Sequence, residues 1–179
     1  MRMTVDLADA KPIGGSVPKN WYTCITSQPD GRSAPDWIEY SQKMPPGATQ
    51  GAPMFVTTLV VDEENEHKGR HIFPPHRVLL GGLKENGERH NLNNCCQFIN
   101  ATRITWTCME CGFVGGSGVE LGYDSKLRNY FCPNCKKQPK LDYETNDFQN
   151  KRIRVLVSEV KGLNTDEMVN RVDRVAPLS

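Results

Sequence analysis

Apolar and polar positions alternate most regularly over residues 151–157, Lys-Arg-Ile-Arg-Val-Leu-Val, the two-residue period of a strand with one face on a core. Ile153, Val155 and Val157 then point inward, and Arg152 and Arg154 point outward. Residues 54–61, Met-Phe-Val-Thr-Thr-Leu-Val-Val, are rich in β-branched and aromatic side chains. A polar turn at 62–69 and a further strand at 70–73 make this a predicted hairpin with an acidic tip. Strands are also expected at 21–26 and 168–175. Over 91–101 the period changes: Leu92, Cys95, Cys96 and Ile99 follow the i, i+3, i+4, i+7 spacing of one helical face, which predicts a short amphipathic helix. Residues 1–20, with Pro12, Gly14, Gly15 and Pro18, read as irregular. Residues 28–53, with five prolines and three glycines around Trp37 and Tyr40, read as a long loop with an aromatic element inside it.

Five short strands with one helix between the third and fourth form the pattern of a small OB barrel. The expected fold class is therefore mainly β: a five-stranded OB-like barrel built from residues 1–103 and 142–179, with residues 104–141 as an insert. A chain of 179 residues is long enough for one main domain with a core. Twenty-two Lys and Arg against twenty-one Asp and Glu leave a net charge of +1, so a polyanion site has to be a local patch. No run of roughly eighteen apolar residues occurs, and the first residues lack the apolar stretch of a signal peptide. Both features predict a cytoplasmic protein, in the host cytoplasm if the source is viral, with no membrane partner.

The insert carries the strongest chemical signal. Cys108-Met-Glu-Cys111, twenty residues, then Cys132-Pro-Asn-Cys135 is the spacing with which two tight turns aim four thiolates at one tetrahedral zinc. Gly112 supplies backbone freedom after the first pair, and Pro133 and Asn134 suit the second turn. Phe113, Val114, Tyr123, Tyr130 and Phe131 are too few for an independent core, so the ion contributes much of the insert's folding free energy. Four cysteine ligands leave no open position, which predicts one structural Zn2+ and a zinc ribbon. Four unmetallated thiols or two disulfides are the alternatives, and the odd total of seven cysteines argues against the second. Cys24, Cys95 and Cys96 read as buried apolar thiols.

Between 126 and 140 the chain carries Lys126, Arg128, Lys136, Lys137 and Lys140, with no acidic residue and with Tyr130 and Phe131 among them. Cations beside rings that stack bases are the chemistry of single-strand binding. The expected nucleic-acid contacts are these five cations, Tyr123 and Tyr130, the outward Arg152 and Arg154, and Trp37. Phe131, next to Cys132, is expected to pack around the metal, and Trp21 and Trp37 have packing as well as stacking readings. His67, His71, His76 and His90 lack metal-ligand spacing and read as surface or packed groups. No Gly-x-Ser-x-Gly, phosphate loop or carboxylate pair is present. Asp62, Glu63, Glu64 and Glu66 cluster on a turn, where solvated charges are expected.

Four stretches occur in order: Pro-Lys-Asn-Trp-Tyr-Thr-Cys-Ile from Pro18, Val-Asp-Glu-Glu-Asn-Glu-His-Lys-Gly-Arg ending at Arg70, Gln-Asn-Lys-Arg-Ile-Arg-Val ending at Val155, and Val-Asn-Arg-Val-Asp-Arg-Val ending at Val175. This layout resembles phage-encoded single-stranded-DNA-binding proteins with an OB fold, over about two thirds of the chain. In that likeness Lys68, Gly69 and Arg70 correspond to the hairpin turn and residues 151–157 to the later strand. The ribbon is a departure from the simplest members, and the ending Val-Ala-Pro-Leu-Ser is not an acidic partner-binding tail. The resemblance implies a non-catalytic protein that coats single-stranded DNA in replication or recombination. A ribbon that instead grips a replication or recombination protein, without touching nucleic acid, is the competing expectation.

Overall fold

The computed structural model describes residues 15–31 and 35–179. Most of the expected irregular lead-in, residues 1–14, and residues 32–34 of the long loop lie outside the described residues. Along the chain run β1 (Asn20–Ser27), β2 (Ile38–Tyr40), β3 (Pro53–Val61), β4 (His71–Leu79), α1 (Asn93–Thr102), β5 (Trp106–Cys108), β6 (Val114–Gly115), β7 (Gly122–Asp124), β8 (Asn129–Phe131), β9 (Leu141–Tyr143), β10 (Arg152–Lys161) and β11 (Met168–Ala176). The fold is mainly β with one α-helix, and all five patterned strands are present as β1, β3, β4, β10 and β11. No helix among the described residues is long and apolar enough to cross a membrane.

The main sheet has the order β11-β10-β1-β3-β2, and β4 pairs with β3. All these pairings are antiparallel. Tyr22, Cys24 and Thr26 of β1 alternate inward with Ile153, Val155 and Val157 of β10, the last three fully buried, as the period-two pattern dictates. The centre of β3 is buried on both faces from Phe55 to Leu59, which explains its unbroken apolar run. The edges β4 and β11 approach one another without sharing a hydrogen-bonded ladder.

Three elements exceed their sequence expectation, among them β10, which runs on to Lys161 instead of ending at residue 157. β4 continues to Leu79 through Pro74 and Pro75 rather than ending at residue 73. Its pairing with β3 shifts between Thr57 and Leu59, and its other edge carries no ladder, so the absent proline N–H groups cost no sheet bond. β2 forms inside the long loop by pairing Ile38 with Phe55 and Tyr40 with Pro53.

The helix begins two residues later than expected and ends at Arg103, whose left-handed backbone (φ 55°) lets its N–H bond to the Ile99 carbonyl. It buries Cys95, Cys96, Phe98, Ile99, Ala101 and Thr102. Phe98 meets Phe148 at 5.0 Å and Phe55 at 5.8 Å between ring centroids, with Phe55 and Phe148 at 5.2 Å. Such ring contacts add about 0.5–1.5 kcal/mol per pair to the gain from burial. Phe148 arrives there on a 3-10 turn, Thr145–Phe148, held by Thr26, whose hydroxyl donates to the Phe148 carbonyl (2.7 Å) and accepts from the Lys151 N–H (2.8 Å).

Outside the main sheet, β6-β5-β9 form a three-stranded sheet and β7-β8 a hairpin. β9 reaches Tyr143, two residues beyond the expected end of the insert. Trp106 on β5 is buried with its ring over Gly115, where any Cβ would overlap the indole.

At the far end of the sheet, Asn170 of β11 is 4% exposed. Its amide accepts from Val17 N–H (2.9 Å) and donates to the carbonyls of Val17 (2.8 Å) and Ser158 (3.3 Å). Asn170→Ala leaves these buried backbone groups unpaired. It is expected to destabilise the fold by about 2 kcal/mol, read as a lower urea midpoint with an unchanged denaturant slope.

Candidate metal centre and nucleic-acid interface

The two cysteine pairs lie on turns built alike. Gly112 N–H donates to the Cys108 carbonyl (2.7 Å) and Lys136 N–H to that of Cys132 (2.9 Å). Cys108 N–H donates to Phe113 (2.8 Å) and Cys132 N–H to Lys137 (3.0 Å). The residue after each second cysteine is left-handed, Gly112 at φ 73° and Lys136 at φ 62°. The sequence showed the first of these positions through its glycine and concealed the second behind a lysine.

All four Sγ atoms lie within 4.8 Å of one another. Cys108 to Cys135 and Cys111 to Cys132 are both 3.8 Å, too long for the ~2.05 Å bond of a disulfide. Thiolates at tetrahedral corners about 2.3 Å from an ion stand ~3.8 Å apart. Cys108, Cys111, Cys132 and Cys135 therefore form a cluster that can hold one metal ion. Cys108 and Cys132 are buried and Cys111 is exposed. The Asn134 side-chain amide, 3.5 Å from Cys111 Sγ, and the backbone beside it pull that thiol down to about 6, so it offers a thiolate at neutral pH. By contrast, burial pushes Cys24 and Cys96 up to about 12 and Cys95 up to about 11. Those three stay protonated, as the sequence reading expected of packed thiols.

The structure sorts the expected nucleic-acid contacts by their partners. Lys137 and Lys140 stand 3.9 and 3.5 Å from the Glu110 carboxylate, and Arg152 Nε is 2.8 Å from Asp62. Among the described residues, Lys126, Arg128, Lys136 and Arg154 make no ion pair. Lys136 lies 5.5 Å from the centroid of the Phe131 ring, and Lys126 and Arg128 sit exposed at the tip of the β7-β8 hairpin. Tyr123 is half exposed and meets Tyr130 at 4.9 Å. Trp37 is a correction: it is 7% exposed and packs on Phe55 at 5.8 Å, so its ring is spent in the core and offers no face for stacking.

Two residues absent from the expected contact set complete a surface. Trp21, on the outer face of β1, has the Arg154 guanidinium 4.8 Å and the Arg174 guanidinium 6.0 Å from its ring. The register explains this: Trp21 pairs with Leu156 and Leu156 with Arg174, so the three lie in one row across the sheet. Arg174 reaches that face because the pairing jumps between Leu156 and Val157, leaving Asp173 as an extra residue and reversing the alternation that Asn170 and Val172 begin. Its sequence signal was the inward Val175 beside it. Arg174 also lines a cleft of about 670 Å3 between α1, the β7-β8 hairpin and the end of β11, together with Tyr123 and Tyr130. Arg154, Trp21, Arg174, Tyr130 and Tyr123 thus form one basic and aromatic track from the sheet onto the insert.

The acidic hairpin tip is less free than its composition implied. Glu63 accepts from the Thr23 N–H, Asp62 holds Arg152, and Glu64 pairs with Lys68. His71 contacts Asp30 and His76 packs on Phe98, in line with surface or packing roles. The chain matches no family model, no curated protein and no solved structure.

Titration with Co2+ as a spectroscopic probe is expected to give one equivalent of tetrahedral thiolate site per chain, and Cys132→Ser is expected to abolish that spectrum. Binding requires thiolates, so protons compete with the ion and affinity falls as pH is lowered below 7.

Proposed function

We propose that this chain is a non-catalytic single-stranded-DNA-binding protein of phage DNA replication or recombination, an OB-like barrel with an inserted zinc ribbon. The observation that carries the reading is Trp21 with two guanidinium groups near its ring, those of Arg154 and Arg174, which have no carboxylate partner among the described residues. A ring that stacks a base beside cations that meet phosphates is the arrangement used to hold a single strand with little regard to sequence. The strand order supports the barrel. Taken as strands one to five, β1, β3, β4, β10 and β11 pair one with two, two with three, one with four and four with five. Strands three and five approach at the open seam, and α1 lies between three and four, as in a partly open Greek-key barrel.

The ion that suits four thiolates with no vacant position is zinc in a structural role. The cysteines would hold it, and it would supply folding free energy to an insert whose own apolar residues are few. Water activation needs an open coordination position, so the four-cysteine set has no part in hydrolysis.

A second reading has the ribbon gripping a replication or recombination protein. Leu127, Met109 and Val114 on the insert are 70%, 69% and 58% exposed, and the single carboxylate of Glu110 stands beside two of its lysines. Fluorescence anisotropy with labelled single-stranded and duplex oligonucleotides across a salt series separates the two. The DNA reading expects salt-sensitive preference for the single strand. Trp21→Ala is expected to cost about 1–3 kcal/mol of affinity, and Arg154→Ala with Arg174→Ala to flatten the salt slope by about 1.4. Lys137→Ala with Lys140→Ala is expected to change it much less. No salt-sensitive binding to either form refutes the DNA reading and leaves the protein partner.

A further inference from the structure

Beyond holding a backbone, the track ends in a cleft whose chemistry suits a single base. We infer that the cleft between α1, β7-β8 and the end of β11 receives one unstacked base of the bound strand and favours a base bearing an exocyclic amino group. The inference rests on the single-strand-binding reading and adds a preference to it. The cleft's volume of about 670 Å3 lies in the range of small-ligand sites. Its lining includes the half-exposed Tyr123 ring against Tyr130, a face on which a base stacks.

Most of the amides around it are already committed. Asn93 donates to the Arg128 carbonyl (2.6 Å), Asn100 exchanges two hydrogen bonds with the Leu121 backbone (2.9 and 3.0 Å), and Gln97 accepts from Val175 N–H (3.3 Å). Asn94 and Glu120 remain, both lining the cleft and neither with a partner among the described residues. A carboxylate repels phosphate and only accepts hydrogen bonds, so Glu120 keeps the backbone out and receives amino hydrogens. Arg174, which also lines the cleft, offers its guanidinium to the phosphate beside the base. Adenine, cytosine and guanine present an amino group, and thymine presents none.

The test is anisotropy with labelled oligo(dT) and the same oligomer carrying dC or dA at single positions. Wild-type protein is expected to bind the substituted oligomers about fivefold tighter than oligo(dT), the low end of discrimination by one base contact. Glu120→Ala and Asn94→Ala are each expected to bring that gain back toward parity, read as the ratio of the substituted oligomer's affinity to that of oligo(dT) within the same variant, which cancels the effect of Glu120's charge on every oligomer. Equal affinity for all three oligomers, or a gain that survives both substitutions, overturns the base cleft and leaves the phosphate track standing. No binding of any oligomer by the wild type overturns both.

Discussion

The Asn100 side chain holds the insert in place. By donating to the Leu121 carbonyl and accepting from the Leu121 N–H, its amide substitutes for a missing strand partner and clamps the start of the β7-β8 hairpin to the helix. Asn93 adds a second tie, to Arg128 at the other end of the hairpin. Amides are the side chains able to do this, because they donate and accept together. With both ties made, the two tyrosines of the insert face Arg174 of the main sheet. Without them, the sheet and the ribbon would be two surfaces instead of one.

The four thiolates act on the other side of the same problem. A segment with few apolar residues cannot order two turns on burial alone, and an ion held by the four cysteines would supply the missing free energy at the point where the turns converge. The same economy appears where the chain returns to the sheet. The Thr26 hydroxyl holds Phe148 and Lys151 at once, so one side chain seats a core aromatic and starts β10. Excursion and return are thus both pinned by groups that satisfy two partners each.

Among the cations, availability differs more than exposure. Lys137, Lys140 and Arg152 have carboxylates near them, and a ligand phosphate would have to displace these. Arg154 and Arg174 are held over an indole instead, an arrangement that orders a guanidinium without neutralising it. Pre-ordered and still charged, they would meet a phosphate of the proposed strand at a smaller entropic cost than free lysines.

Local periodicity was enough to find the five strands, the helix and the inward face of β10, because burial on one side imposes a period of two on a strand and of 3.6 on a helix. Cysteine spacing was enough to find the metal cluster, because two ligands two residues apart must share a turn. The bounds of β4 were hidden, since whether proline ends a strand depends on which edge is paired. Trp37 carried both a packing and a stacking reading for a similar reason: one aromatic ring serves a core or a surface equally well, and only the pairing of β2 with β3 decided that it packs on Phe55. Arg174 depended on a one-residue bulge against β10, which reverses the facing of every residue beyond it. A register is a relation between strands far apart in the chain, and it exists only once they have paired.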